Sequence, residues 1–236
     1  GQLQVTDGRF AGALAADLVM GSPWTDLFLT GITGTNGKTT VTALSRHLLG
    51  LRGPARAVGT LGLIEEDGTP RAGSEGLTTP GPVRISSWLR EMVDEGTEYV
   101  ALEASSHALA QRRLDGTRMD VAVFTNLTQD HLDYHADLDG YRAAKLHLLD
   151  LLKPGGWAVV NRDEEAWAGL SAPSGRTLGY GLADETDRPG RDDPGEGLLL
   201  EASNLHLGAD GSRFELRLGD EEASVDLPLL GHFNVE

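Results

Sequence analysis

The chain has 236 residues, enough to bury the core of one large domain, or of one domain with short appendages. It contains no cysteine, which excludes a disulfide scaffold, a thiolate metal site and a cysteine nucleophile, and no apolar run approaches the roughly 18 residues of a membrane-spanning helix. Thirty-six acidic against 20 basic residues give a formal charge of −16, a field that disfavours nucleic acid and anionic membranes but leaves open a nucleotide whose phosphates are neutralised locally. With 31 glycines and 10 prolines many turns are expected. No basic-then-apolar leader is read at the N-terminus, and a cytoplasmic compartment is expected.

Residues 1–26 carry a short helical pattern in which Phe10, Leu14, Leu18 and Val19 share a face, broken at Gly21-Ser22-Pro23. This is too little for a domain and reads as a lead-in packed on the domain that begins at residue 27. Residues 27–29 read as the end of a buried strand, and 41–50 as a helix with apolar positions at Val41, Leu44, Leu48 and Leu49. Between them, Gly31-Ile32-Thr33-Gly34-Thr35-Asn36-Gly37-Lys38-Thr39-Thr40 supplies the parts of a triphosphate cradle. Glycines let backbone N–H groups turn inward around phosphate oxygens, the helix N-terminus adds its positive end, and Lys38 supplies a point charge. Thr39 is placed to offer its hydroxyl to Mg²⁺. The usual pattern has glycine five residues before Gly37, where this chain has Ile32.

Residues 56–64 read as a second strand, 65–68 as a tight turn, and 69–82 as a glycine- and proline-rich loop containing Thr78-Thr79-Pro80. Val83, Ile85, Trp88, Leu89, Met92 and Val93 form a helical apolar face. Residues 99–102 are a buried strand by composition and deliver Glu103 to its C-terminal end, where open α/β sheets place their ligands. A helix through 109–114, a buried strand at 121–124, and a helix over roughly 137–152 carrying Lys145 come next. Lys153-Pro154-Gly155-Gly156 reads as a stop before a strand at 157–160 that leads to Asn161-Arg162-Asp163-Glu164.

Residues 177–180 form a short strand, 184–197 an acidic Pro/Gly-rich loop, and 198–207, 213–218 and 223–229 an antiparallel extension. Strands alternating with helices predict an α/β fold: a P-loop-containing, mostly parallel sheet with helices on both faces and a small antiparallel extension.

In such a sheet Lys38, Thr39, Glu103, His131 and the pair Asn161 and Asp163 converge on one edge. Thr39 and Glu103 are hard oxygen donors suited to Mg²⁺, and His131 could hold a second ion or a water. Each has a plainer reading: Glu103 as a helix cap, His131 as a partner for backbone groups, Lys145 as a solvated helix residue. Trp88, Trp157 and Trp167 read as packing. A cradle does not name a reaction, so kinase, switch GTPase and ATP-dependent ligase all stay open. The absence of an Asn/Thr-Lys-x-Asp guanine reader lowers the GTPase reading alone.

The cradle at 31–40, Thr78-Thr79-Pro80, Glu103-Ala104-Ser105-Ser106-His107-Ala108-Leu109, the string 124–135 with Asn126-Leu127-Thr128-Gln129-Asp130-His131-Leu132-Asp133-Tyr134-His135, Tyr141-x-x-Ala144-Lys145 and Gly231-x-Phe233-Asn234 together resemble the Mur ligase family. Within it, the strings resemble the members that add the third amino acid to UDP-N-acetylmuramoyl-L-alanyl-D-glutamate in peptidoglycan synthesis. The resemblance implies an ATP-dependent ligase working through an acyl phosphate, with ATP and two Mg²⁺ as cofactors. Its partners would be the UDP-MurNAc-dipeptide and a free amino acid, and the molecule a monomer. It implies Gly34, Thr35, Asn36, Gly37, Lys38, Thr39, Thr40, Asn161, Asp163 and Asn234 as nucleotide contacts. Lys38, Glu103, His131 and Lys145 would be catalytic; Thr39, Glu103, His131 and Lys145 would hold metal, Lys145 as a carbamate.

Thr78, Thr79, Ser105 and Arg113 would meet the UDP-sugar peptide. Glu164, where Asp is commoner, and His232, where Arg or Lys is commoner, depart from the pattern. Against a three-domain family, residues 1–26 read as a remnant of the UDP-binding first domain and 27–236 as the central ATP-binding domain, with no third domain. Such a span is expected to bind Mg·ATP weakly and not to ligate, and it leaves the choice among meso-diaminopimelate, lysine and ornithine unread. Another Mur-type or folylpolyglutamate-synthase-like ligase, a P-loop kinase and a non-catalytic remnant are the competing readings.

Overall fold

A computed structural model of the chain describes residues 4–130, 132–183, 198–232 and 235. In chain order the elements are α1 (Gly8–Val19), β1 (Phe28–Thr33), α2 (Lys38–Leu49), β2 (Ala55–Gly59), β3 (Gly62–Ile64), α3 (Pro82–Asp94), β4 (Tyr99–Glu103), α4 (Ser106–Ala110), β5 (Met119–Phe124), α5 (Leu132–His135), α6 (Leu138–Asp150), β6 (Leu152–Asn161), β7 (Thr177–Leu182), β8 (Leu198–Gly208), β9 (Gly211–Leu218) and β10 (Glu221–Leu227). The strands form one sheet in the order β10-β9-β8-β7-β6-β5-β1-β4-β2-β3. From β8 to β2 neighbouring strands are parallel, while β3 and the β9-β10 hairpin pair antiparallel at the two edges.

The central strands alternate between two apolar clusters, as a period of two requires when both faces are covered. Leu29, Val100, Leu102, Ala122 and Phe124 point to the side where Ile85, Leu89 and Met92 of α3, Leu109 of α4 and Leu148 of α6 pack. Ile32, Ala101 and Val123 point the other way, toward Val41 of α2. Fully burying each Leu, Ile or Phe contributes roughly 1.5–3 kcal/mol. Trp167 is wholly buried, edge-on to Phe124 at 5.4 Å, as expected for a packing residue.

Five expectations from sequence are corrected. In α1 the buried side chains are Ala13, Ala16 and Asp17, while Phe10, Leu14, Leu18 and Val19 are exposed. The helix approaches through its small face, close enough that a Cβ on Gly116 would lie 2.4 Å from the Ala13 carbonyl oxygen. Asp17 is satisfied there by the Ser22 hydroxyl and the Trp24 indole. Residues 56–64 are not one strand but the hairpin of β2 and β3, reversed at Thr60-Leu61 with Gly62 at φ +84°.

The helix expected at 109–114 is α4, already over at Ala110. Lys153-Pro154-Gly155-Gly156 does not precede a strand but lies inside β6: the register passes from Met119↔Leu152 to Val121↔Trp157, so the extra residues are taken up by a bulge. Finally, β8 is parallel to β7 as well as antiparallel to β9, so it closes the parallel sheet rather than belonging only to the extension. The acidic loop at 184–197 lies outside the described residues.

Candidate active site

β1 lies between β4 and β5, with Ile32 opposite Glu103 and Thr33 opposite Phe124. The C-terminal ends of three adjacent strands therefore surround the loop from Gly34 to Gly37, and α2 starts directly after it. Ile32 is wholly buried among sheet residues, which accounts for a side chain where the common loop has glycine. Gly34, at φ +151°, has no such freedom: a Cβ there would sit 1.8 Å from Thr125 Oγ1.

The loop is clipped down from the β5 side. The Thr35 N–H donates to the Asn126 carbonyl at 2.8 Å, the Asn36 N–H to Asn126 Oδ1 at 2.9 Å, and the Thr125 hydroxyl to the Asn36 carbonyl at 2.8 Å. Thr35 Oγ1 is tied to both backbone groups of Thr128 and accepts from the Tyr141 hydroxyl at 3.3 Å. The opposite side is open: around Gly37, at φ +81°, nothing lies where a Cβ would point. Thr39 and Thr40 come next in the first turn of α2, half-exposed and exposed.

Two ammonium groups close the loop from below. Lys38 Nζ donates to the carbonyls of Gly34 at 2.9 Å and Thr35 at 2.7 Å. Burial lowers its pKa, with Glu103 and Asp130 acting against that. Lys145, on α6, is not the solvated residue that its sequence context alone suggests. It is 1% exposed, stands over the Tyr141 ring at 4.3 Å and donates to the same Gly34 carbonyl at 2.6 Å. Burial first, and the neighbouring Lys38 second, bring its pKa down to about 7, against the pull of Asp130.

Glu103 is 2% exposed, and the helix cap read as its plainer role belongs to Ser105, which accepts from the Ala108 N–H at 3.3 Å. The Glu103 carboxylate instead receives the Thr60 N–H at 2.9 Å and the Thr60 hydroxyl at 3.1 Å. Gly59 makes room for it, since a Cβ there would lie 2.1 Å from Oε1.

Beside Glu103 the four residues expected to meet a UDP-sugar peptide form one connected patch. Thr79 is wholly buried; its hydroxyl donates to the Glu103 carbonyl at 2.6 Å and accepts from the Ser105 N–H at 3.0 Å. Arg113 donates to the Thr79 carbonyl at 2.7 Å, and Thr78 Oγ1 lies 3.1 Å from Thr60 Oγ1. Thr78, Ser105 and Arg113 are half-buried.

Asn161 and Asp163 stand apart, at the end of β6, two strands from β1. Asn161 Oδ1 accepts from the Asp163 N–H at 2.9 Å, and Asp163 Oδ2 from the Leu182 N–H at 2.7 Å. Glu164, one of the two departures from the family pattern, joins this corner to the segment after β5 by accepting from the Leu127 N–H at 3.1 Å. His131 and Asn234 lie outside the described residues. Sequence reasoning passed over Thr60, and it used Tyr141 and Asp130 only as letters in a motif. The signal for Thr60 was its place in Gly59-Thr60-Leu61-Gly62, a turn beside a sheet edge already expected to hold ligands.

Among the described residues no three or more His, Cys, Asp or Glu side chains gather as a metal site. A cation here would draw on the Thr39 hydroxyl, the Glu103 carboxylate and oxygens of the bound substrate. That donor set fits Mg²⁺, which keeps several waters and takes one or two carboxylates plus phosphate oxygens.

A family model for the Mur ligase middle domain matches residues 32–236. A UDP-N-acetylmuramoyl-L-alanyl-D-glutamate--2,6-diaminopimelate ligase of Geobacter sulfurreducens is 38% identical over 99% of this chain and 44% of its own length. The enzyme of that name from Xylella fastidiosa is 42% identical over 99% of this chain and 47% of its own. A solved structure under the same enzyme name superposes with a TM-score of 0.70 at 31% identity, covering 89% of this chain and 41% of that one. MurF from Acinetobacter baumannii shares the fold, with a TM-score of 0.67 at 21% identity, covering 99% of this chain and 45% of that one. The chain spans less than half the length of these curated relatives. Matched by the family model from its first strand onward, it belongs to the Mur ligase family, whose middle domain it contains.

Proposed function

We propose that this chain is the ATP-binding part of a MurE-type ligase, which adds the third amino acid to UDP-N-acetylmuramoyl-L-alanyl-D-glutamate. In that reaction ATP phosphorylates the free carboxylate of the dipeptide. The incoming amine attacks the acyl phosphate, and phosphate departs with the proton balance restored to solvent. The observation that carries the reading is the pair of amines, half-buried Lys38 and buried Lys145, on the floor of a glycine loop that is open around Gly37. When phosphates occupy the loop, Lys38 leaves the carbonyls of Gly34 and Thr35 for phosphate oxygens, exchanging neutral acceptors for charged ones.

Lys145 has a second use. Held near a pKa of about 7, it is partly a free amine at neutral pH, the form that adds to CO₂ to give a carbamate and release a proton. That converts a cation into an oxygen donor beside Lys38 and the Gly34 carbonyl. Thr39, Glu103, His131 and carbamylated Lys145 would hold two Mg²⁺ ions, which would supply charge neutralisation at the phosphoryl oxygens. Thr78, Ser105 and Arg113 would orient the UDP-sugar peptide, while Asn161, Asp163 and Asn234 would face the adenosine.

A cytoplasmic monomer is part of this reading; no described helix is long and apolar enough to cross a membrane. The relatives are named for 2,6-diaminopimelate, so that amino acid is the first to offer in a ligation assay. The test is a calorimetric titration with ATP, with and without Mg²⁺. Tighter binding with Mg²⁺ is expected; binding indifferent to Mg²⁺ overturns the reading, and a stable phosphorylated product formed without any amine replaces it with a kinase.

A further inference from the structure

Among the described residues, the hydrogen bonds to the Glu103 carboxylate come from Thr60. Thr60, exposed in the turn between β2 and β3, gives its N–H to Oε1 at 2.9 Å and its hydroxyl to Oε2 at 3.1 Å. The same hydroxyl is 3.1 Å from that of Thr78. A carboxylate only accepts, and a hydroxyl has one proton to give. Thr60 therefore spends its proton on Glu103, and Thr78 must donate to Thr60. The hydrogen-bond direction is fixed: Thr78 to Thr60 to Glu103.

We infer that Thr60 is a positioning residue for the Mg²⁺-binding carboxylate, and that it connects Glu103 to Thr78 by a hydrogen-bond relay of fixed direction. The inference rests on the reading of this loop as a Mg·ATP site. Each Glu103 oxygen has two lone-pair sites and Thr60 takes one on each, so the carboxylate is fixed in orientation while keeping one on each oxygen for a cation. Gly59 permits this seating, because a Cβ there would occupy the place of Oε1. With its proton committed inward, Thr78 turns only lone pairs toward its surroundings. The ligand group that meets it brings an N–H or O–H, not a phosphate or carboxylate oxygen.

The experiment is a Mg²⁺ titration of ATP binding to the chain, read by calorimetry, for the wild type and for Thr60→Val, Thr60→Ala, Thr60→Ser, Thr78→Val and the Thr60→Val/Thr78→Val double variant. Thr60→Val and Thr60→Ala keep the backbone donor but lose the charged hydrogen bond, so the Mg²⁺ concentration at half effect rises by roughly tenfold. Thr60→Ser restores the wild-type midpoint, and Mg²⁺-free ATP binding is the same in the three Thr60 single variants as in the wild type. Thr78→Val has a smaller effect that vanishes once Thr60 is valine.

An unchanged midpoint in both the Val and Ala variants, beside a Mg²⁺-dependent wild type, overturns the inference alone. Fully additive effects in the double variant overturn the relay. A wild type indifferent to Mg²⁺ overturns the site reading and this inference with it.

Discussion

Lys38 and Lys145 donate to one acceptor, the carbonyl oxygen of Gly34, at 2.9 and 2.6 Å. Two ammonium groups on one neutral oxygen repel each other, and burial removes the water that would screen them. The side chain with less freedom to leave is Lys145, 1% exposed on α6, and it is the one whose pKa falls to about 7. Any anion entering the loop, a phosphate above or a carbamate on Lys145 itself, relieves the repulsion.

Lys145 makes stability depend on pH in a set direction. Its folded pKa of about 7 lies below the ordinary 10.5, so between those values the unfolded chain binds more protons and stability rises with pH. Below about pH 7 both states are protonated and the cost is present in full. In CO₂-free buffer Lys145 should raise the unfolding free energy by at most about 1.4 kcal/mol per pH unit across that window, and Lys145→Met should flatten the rise to what Lys38 contributes. Urea midpoints at several pH values measure it.

The chain has three lysines, Lys38, Lys145 and Lys153, which makes carbamylation simple to assign. With carbon-13 bicarbonate at neutral pH, a carbamate resonance should appear in the wild type and be absent from Lys145→Met. In Lys38→Met, ATP binding should weaken by roughly 10- to 100-fold for loss of a charged hydrogen-bond donor. The same variant should show less carbamate at fixed pH and bicarbonate, because removing the neighbouring charge returns Lys145 toward its protonated form.

Two glycines of the loop should respond differently to alanine. At Gly34 the new Cβ meets Thr125 Oγ1 at 1.8 Å, and we expect a loss of about 2–4 kcal/mol together with nucleotide binding. At Gly37 the space is open and only the positive φ of +81° is strained, at a cost of about 1–2 kcal/mol. Thermal unfolding of the two variants tests the ordering, which a loop that relaxes freely would not show.

Far from the loop, Arg56 is buried among Glu65 at 3.0 Å, Glu66 at 3.5 Å and Glu95, and Arg71 shares two of these carboxylates. Arg56→Leu leaves the acids of the hairpin and α3 facing each other with one guanidinium between them. Because those acids are partly exposed, a loss of about 2 kcal/mol is expected, below the range for fully buried pairs. It should shrink at high salt, as urea midpoints with and without added NaCl will show.

What the sequence determined by itself was local. A loop of glycines ending in Lys38-Thr39 between a strand and a helix, apolar runs that end in Glu103 and Phe124, and turn residues at regular intervals are all read within a few residues of one another. Propensity and periodicity act at that range, so the parallel sheet and the glycine turn between its first strand and helix were legible from it. Tertiary structure decided the rest. Lys145 lies 111 residues along the chain from the Gly34 carbonyl it meets, and a lysine in Tyr141-Arg142-Ala143-Ala144-Lys145 carries no local mark of burial. The small face of α1, the bulge that takes Pro154 into β6 and the grip of Thr60 on Glu103 have the same origin. Desolvation, charge repulsion and hydrogen-bond partnership depend on distance in space, and strand order and helix packing set that distance.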